Sequence, residues 1–262
     1  MRTLIAIPVY NEEPHLARVL AEMVRWSPEI LAVDDGSTDR SAEILDAHPF
    51  VEVHHHDTNE GYGQSLIDAF CIAVHRRFEW VITLDADEQH DPAAIGLFLA
   101  EAARGDADVL SGSRYLPESL RQSPVPEVRR GINVLVTEIL ARVTPYRLTD
   151  AFCGFKAYRV AALRRLALSE RGYAMPLQFW VQAARAGLAV REVPVKLLYV
   201  DPSRTFRGGL DDPRVRLRHY LDILDREVAA WRGEGGGASA TGLACRESTR
   251  KPPRRSGMGD SR

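Results

Sequence analysis

Two aspartates separated by one alanine, Asp85-Ala86-Asp87, directly follow the apolar run Trp80–Leu84. In an extended backbone alternate residues share a face, so both carboxylates can converge on one hard cation, and Gln89 adds an oxygen two residues on. A solvated acidic turn fits the same residues. Open α/β sheets bind ligands at the carboxyl ends of their strands, and that position favours the metal. A second acidic turn, Asp34-Asp35-Gly36-Ser37-Thr38-Asp39, ends another apolar run. Asp35 there is suited to accept hydrogen bonds from a base or ribose, whereas Ser37 and Asp39 suit helix capping, with Asp39 assigned mainly to it. A third run ends in Pro8-Val9-Tyr10-Asn11-Glu12, which brings an aromatic ring and a carboxylate to the same edge. Three such strand ends at one crevice are more than turn chemistry requires.

Other features carry less. Asp150 reads equally as a catalytic base or as an anchor for its loop through Arg147. His54-His55-His56 resembles a metal cluster, but alternation sends strand neighbours to opposite faces, so an exposed strand end with no role is expected. Gly61 and Gly63 lack the strand-then-GxGxxG context of a dinucleotide fold, and no GxxxxGK[ST] phosphate loop occurs.

The elements that must position these residues alternate. Apolar runs at 4–9, 29–33, 51–55, 80–84 and 107–111 read as strands, separated by helical patterns at 12–26, 41–47, 63–77 and 92–104. A mostly parallel, twisted sheet with helices on both faces follows, an α/β fold. The rhythm then changes. A proline-punctuated polar stretch at 115–128 reads as a mobile loop, followed by an amphipathic helix over 129–143, a loop over 149–154, and a strand over 155–158. Helices at 160–167 and 176–186, a strand at 190–199 and a last helix at 215–231 complete the expectation, with Asp211-Asp212-Pro213 capping that helix. One domain over 1–230 is expected, with a ligand-binding half (1–111) and an acceptor or lid half (112–230). Residues 231–262, rich in Gly, Arg and Pro, cannot form a core and read as a disordered basic tail.

With 262 residues and 45% hydrophobic side chains the chain can bury one substantial core. A formal net charge of −2 excludes a generally basic nucleic-acid binder. Three cysteines without CxxC spacing indicate neither a disulfide framework nor a zinc site, which fits a reducing cytoplasm. The opening apolar run is too short for a signal peptide, and no stretch of eighteen apolar residues spans a membrane.

The motifs Pro8–Glu12, Asp34–Asp39, Asn59-Glu60-Gly61-Tyr62-Gly63 and Asp85-Ala86-Asp87 resemble, in order and spacing, those of family 2 glycosyltransferases with the GT-A fold. Gly112-Ser113-Arg114-Tyr115, Arg130-Gly131-Ile132-Asn133, Thr149-Asp150 with Gly154-Phe155, and Glu192-Val193-Pro194-Val195 extend the resemblance to dolichyl-phosphate mannose synthases and related polyprenyl-phosphate sugar transferases over about 3–210. By position, the resemblance implies that Pro8, Tyr10, Glu12, Val33 and Asp35 bind the nucleoside. It implies that Asp85, Ala86 and Asp87 contact the nucleotide-sugar, and that Asp85, Asp87 and Gln89 hold Mg2+ or Mn2+. Arg114 and Arg130 would face donor or acceptor phosphates, and Arg204 would close over the diphosphate. Asp87, Arg114 and Asp150 are the catalytic candidates.

The late loop departs from the family. In place of Arg, two residues, Gly, one residue and Ser-Lys, it reads Arg204-Thr205-Phe206-Arg207-Gly208-Gly209-Leu210, with Arg207 a candidate replacement for the missing lysine charge. The resulting expectation is an inverting enzyme that moves a mannose or glucose from a nucleotide-diphosphate sugar to a polyprenyl or dolichyl phosphate at the cytoplasmic membrane face. A soluble transferase acting on a hydroxyl acceptor, or a non-catalytic nucleotide-sugar-binding protein, stands as the alternative. An anionic lipid phosphate needs no strong base, whereas a hydroxyl does, with Asp150 then the first candidate. The helix over 129–143 is expected to pack on the sheet rather than rest on a membrane.

Overall fold

The computed structural model describes residues 1–27, 29–120, 127–198, 210–233, 242, 243 and 245, with the backbone alone at 120 and 127–130. The strands are β1 (Thr3–Val9), β2 (Ile30–Asp34), β3 (Val51–His55), β4 (Trp80–Thr83), β5 (Val109–Ser113), β6 (Lys156–Arg159) and β7 (Val190–Pro194). They form one sheet in the order β3-β2-β1-β4-β6-β5-β7. All neighbours run parallel except β6, which is antiparallel to both β4 and β5. β1 and β2 are apolar on both faces, as strands covered from both sides must be.

One face of the sheet is covered by α1 (Leu16–Met23), α2 (Ser41–Asp46) and α4 (Ile95–Ala103), the last entered through a 3-10 turn at Pro92–Ala94. The other carries α3 (Tyr62–His75), α6 (Glu127–Val143), α7 (Val160–Leu163), α8 (Met175–Arg185) and α9 (Pro213–Arg232). α1 shows the mechanism plainly: Leu16, Val19, Leu20 and Met23 form the i, i+3, i+4, i+7 stripe and all are buried. The first half and the second share this sheet, because β6 enters between β4 and β5.

Several details differ from expectation. α1 starts at Leu16 rather than residue 12, which leaves Glu12 in the loop after β1. β5 ends at Ser113, two residues late, and β7 ends at Pro194. A short helix, α5 (Pro117–Leu120), occupies part of the segment expected as a loop. α6, expected on the sheet, packs instead mainly against α8 and α9, with Asn133, Val136, Thr137 and Leu140 inward and Val134 and Leu135 exposed. Asp212 caps α9 by accepting from the Arg214 N–H at 2.7 Å.

The cysteine reading needs correction: Cys71 on α3 is disulfide-bonded to Cys245, and Cys153 is free and buried. The pairing spans 174 residues, so spacing along the chain carried no signal of it. The tail also returns to the body, with Leu243 and Cys245 packed against the core beside α3; residues 234–241, 244 and 246–262 lie outside those described.

Candidate active site

Parallel register brings the ends of β1, β2 and β4 to one edge, with Val9 beside Asp34 and Ala6 beside Thr83. β5 runs the same way, so Arg114 leaves from that edge, and the antiparallel β6 starts there after Gly154-Phe155. The five segments that carry the candidate residues therefore converge.

Asp85 and Asp87 follow β4. Ligand atoms of Asp85, Asp87 and His90 all lie within 4.8 Å of one another. Asp85 is held by Tyr62, whose hydroxyl donates to Oδ1 at 3.1 Å, while its Oδ2 lies 3.7 Å from His90 Nδ1. Any side chain at position 154 would enter Asp85: an ideal Cβ on Gly154 sits 2.2 Å from Oδ2. The loop turns at Glu88, a non-glycine residue at φ 58°, whose carboxylate is tied to His15 at 2.9 Å and Arg18 at 2.6 Å. That left-handed backbone costs about 1 kcal/mol, offset by contacts to α1.

His90, not singled out from the sequence, completes this group. Burial pushes its imidazole down to about 4, so it is neutral near pH 7. Its Nδ1 is buried without a hydrogen-bond partner. Its Nε2 lies 3.4 Å from Cys153 Sγ. The Cys153 thiol, pushed up to about 12 by burial, can donate to the Phe155 carbonyl and accept from Nε2–H, which leaves the Nδ1 lone pair for a cation. Two carboxylates and this orphaned nitrogen fit a divalent metal ion. Gln89 enters the described contacts through its backbone, with its N–H donating to Asp87 Oδ1 at 3.0 Å and its carbonyl accepting from Leu198.

Arg114 meets Asp150 through two parallel bonds, Nε to Oδ2 at 2.7 Å and Nη2 to Oδ1 at 3.0 Å. Asp150 has no exposed surface and also accepts from Asn133 Nδ2 and the Phe152 N–H. Burial raises a carboxyl's affinity for a proton, but Arg114 and Asn133 outweigh it and hold Asp150 far below the usual range. Of the two expected roles, base or loop anchor, this geometry favours the anchor, because a filled, strongly acidic carboxylate is a poor proton acceptor. Its partner is Arg114 rather than Arg147, whose guanidinium instead caps the Ala141, Thr144 and Tyr146 carbonyls. Glu192 fixes the loop from below by accepting from the Thr149 and Asp150 N–H groups. Lys156 is buried beneath the site, its ammonium against the Cys153 carbonyl and 5.6 Å from the Trp180 ring.

On the nucleoside side, Asp35 is 3% exposed. Oδ1 receives His56 Nδ1 at 2.7 Å and the Glu60 N–H at 2.7 Å; Oδ2 receives the Gly61 N–H at 2.9 Å. Asp35 thus ties the Asn59–Gly63 turn to β2, a role invisible in its position alone. Asn11, at φ 56°, crosses from the β1 loop to accept from the Thr38 and Asp39 N–H groups. Asp39 accepts from Ser41 N–H, as capping requires, and from Glu13 N–H, while Ser37 Oγ accepts from Asn11 N–H instead of capping. Pro8, Tyr10 and Glu12 are half-buried at the same edge; the side chains of Val33 and Ala86 are buried in the core, so both can meet a ligand only through backbone. Arg130 lies in the first turn of α6 with its side chain outside the description, and Arg204 and Arg207 lie outside the described residues.

The family model for glycosyl transferase family 2 matches residues 4–167. The chain is 32% identical over 204 residues to undecaprenyl-phosphate mannosyltransferase of Micrococcus luteus, covering 74% of this chain and 83% of that one. It is 31% identical over 206 residues to polyprenol monophosphomannose synthase of Mycolicibacterium smegmatis, covering 74% and 76%. Glucosyl-3-phosphoglycerate synthase of Mycobacterium tuberculosis shares the fold at a TM-score of 0.69 and 17% identity, over 87% of this chain and 81% of that one. The same enzyme has been solved with Mn2+, UDP and glucosyl-3-phosphoglycerate. This chain belongs to glycosyltransferase family 2. It is a glycosyltransferase of the GT-A fold, and no described helix is long and apolar enough to cross a membrane.

Proposed function

We propose that the protein transfers a hexose, mannose or glucose, from a nucleotide-diphosphate sugar to a polyprenyl phosphate, with inversion at the anomeric carbon. The observation that carries this reading is the Asp85–Asp87–His90 group at the sheet edge that also carries Arg114, held by Asp150. Asp85 and Asp87 hold the cation, His90 Nδ1 supplies a third donor, and the Gln89 amide is the alternative third donor. Bound there, Mg2+ or Mn2+ neutralises the charge that develops on the leaving diphosphate.

Tyr10, Glu12 and the Asp35-fixed turn, with the backbone of Pro8, Val33 and Ala86, form the nucleoside wall. Arg114 presents a guanidinium whose Nη1 has no partner among the described residues, suited to a phosphate oxygen of donor or acceptor. Arg130 is proposed to bind the acceptor phosphate and Arg204 to close over the donor diphosphate. A lipid phosphate is already anionic, so its oxygen attacks without a base, consistent with Asp150 being committed to Arg114. Two relatives named for polyprenyl-phosphate mannosyl transfer support that acceptor, and such a substrate places the enzyme at a membrane surface.

The test incubates purified protein and Mn2+ with radiolabelled GDP-mannose or UDP-glucose, with and without polyprenyl phosphate in detergent. Label entering the organic phase only with the lipid is the expected result. Label confined to water-soluble or protein products would overturn the acceptor assignment.

A further inference from the structure

His54 and His56 are two residues apart at the end of β3, so their rings share a face of the sheet. They meet edge-on at 5.4 Å between centroids. α3 packs against that face and delivers Asp68. Ligand atoms of His54, His56 and Asp68 lie within 4.8 Å of one another. The sequence expectation of an unused strand end considered neighbours only, and neighbours do diverge: His55 turns the other way to Asp34.

The chemistry of the group is specific. His56 Nε2 stands 3.0 Å from Asp68 Oδ2, close to the roughly 3.3 Å that separates donors around a tetrahedral ion with bonds of about 2.0 Å. His56 Nδ1–H donates to Asp35 Oδ1 at 2.7 Å, the carboxylate–imidazole pairing that fixes the tautomer and raises the basicity of a metal-binding nitrogen. Asp68 Oδ2 is oriented in turn by Gln64 Nε2 at 3.0 Å. His54 is half-buried and makes no hydrogen bond among the described residues.

We propose that His54, His56 and Asp68 form a second cation site, separate from the Asp85–Asp87 group, which takes a transition-metal ion of the Zn2+ class. Two imidazoles and one carboxylate suit Zn2+, Co2+ or Ni2+ over Mg2+. The ion takes the place of the hydrogen between Nε2 and Oδ2, which leaves as a proton, and solvent fills the remaining position beside His54. Through His56 the site is joined to Asp35, so ligation stiffens the Glu60-Gly61 turn that Asp35 holds.

The test uses untagged, chelator-stripped protein with both Asp85→Asn and Asp87→Asn, which removes the other cation group, titrated with Zn2+ by calorimetry and with Co2+ by visible absorption. One equivalent is expected, with visible ligand-field bands from Co2+ and at least a tenfold weaker affinity when His54→Gln is added. His54→Gln leaves the Asp35–His56–Asp68 bonds in place, and unchanged circular dichroism and melting without metal verify that it folds. No binding by the double variant, or binding indifferent to both His54→Gln and Asp68→Asn, overturns the site. Neither readout depends on glycosyl transfer.

Discussion

Asp150 holds Arg114 by a two-pronged ion pair, 2.7 and 3.0 Å, with the carboxylate wholly buried and the guanidinium at the rim of the site. The pair is a mount. Asn133 from α6 and Glu192 from β7 converge on the same loop, so three separate elements fix the one guanidinium that is proposed to meet a phosphate.

Removing the mount leaves a guanidinium without its counter-charge. Asp150→Ala is expected to lower stability by ~3 kcal/mol, the usual cost of breaking a largely buried pair from one side. Because the folded Asp150 is depressed below its unfolded value, its contribution is present above about pH 4 and lost only as the pH falls further. The profile of kcat against pH should therefore carry no limb that vanishes in Asp150→Asn. A limb near neutrality abolished by that variant would restore Asp150 as the base.

The metal reading divides cleanly between two neighbours. His90→Ala should weaken Mn2+ binding, followed by titration calorimetry, by tenfold or more, whereas Gln89→Ala should change it less than twofold. Asp87→Asn should lower kcat by about 10²–10³-fold, on the scale of losing a principal stabiliser of developing charge. The opposite order for His90 and Gln89 would return the third ligand to the position implied by family resemblance.

Gly154 is required for a reason of space. A methyl group at 154 overlaps the Asp85 carboxylate, and the Gly154 carbonyl accepts from Thr83 Oγ1 at 2.9 Å, so the backbone cannot withdraw. Gly154→Ala should keep the melting temperature within a few degrees, because Asp85 is partly exposed and can swing aside. Mn2+ affinity and kcat should fall together. An active Gly154→Ala variant with unchanged Mn2+ affinity would show that the observed Asp85 rotamer is not the one that binds.

Much of this architecture was legible because its causes are local. Continuous apolar runs and the Asp85-Ala86-Asp87 spacing report burial on both faces and a shared carboxylate face, properties a short window contains. What escaped was assembled across distance. His90 is one histidine in an acidic turn until Cys153, 63 residues on, closes against its Nε2. The part Asp35 plays in holding the Asn59–Gly63 turn is of the same kind, because nothing in its own segment announces that His56, Glu60 and Gly61 will donate to it. The Cys71–Cys245 bond required knowing where the tail returns.

The Asp35–His56–Asp68 bridge also sets a pH dependence. Burial works against a charged imidazole, but the bonds to Asp35 and Asp68 outweigh it and raise His56 to about 9. Asp34 likewise raises His55. A histidine raised on folding contributes stability that is complete below its unfolded value near 6.5 and is lost as the pH climbs through the folded one. With chelator present, unfolding free energy from urea titrations should therefore decline between about pH 6.5 and 9. His56→Gln, which can still donate one hydrogen bond, should be less stable at pH 6 and show a flatter decline, converging on the parent protein near pH 9. The carboxylates do not produce this trend, since Asp34 and Asp68 are both lowered and stay ionised throughout the window. If the parent and the variant kept parallel curves from pH 6 to 9, His56 would not be the charged bridge that its two short contacts describe.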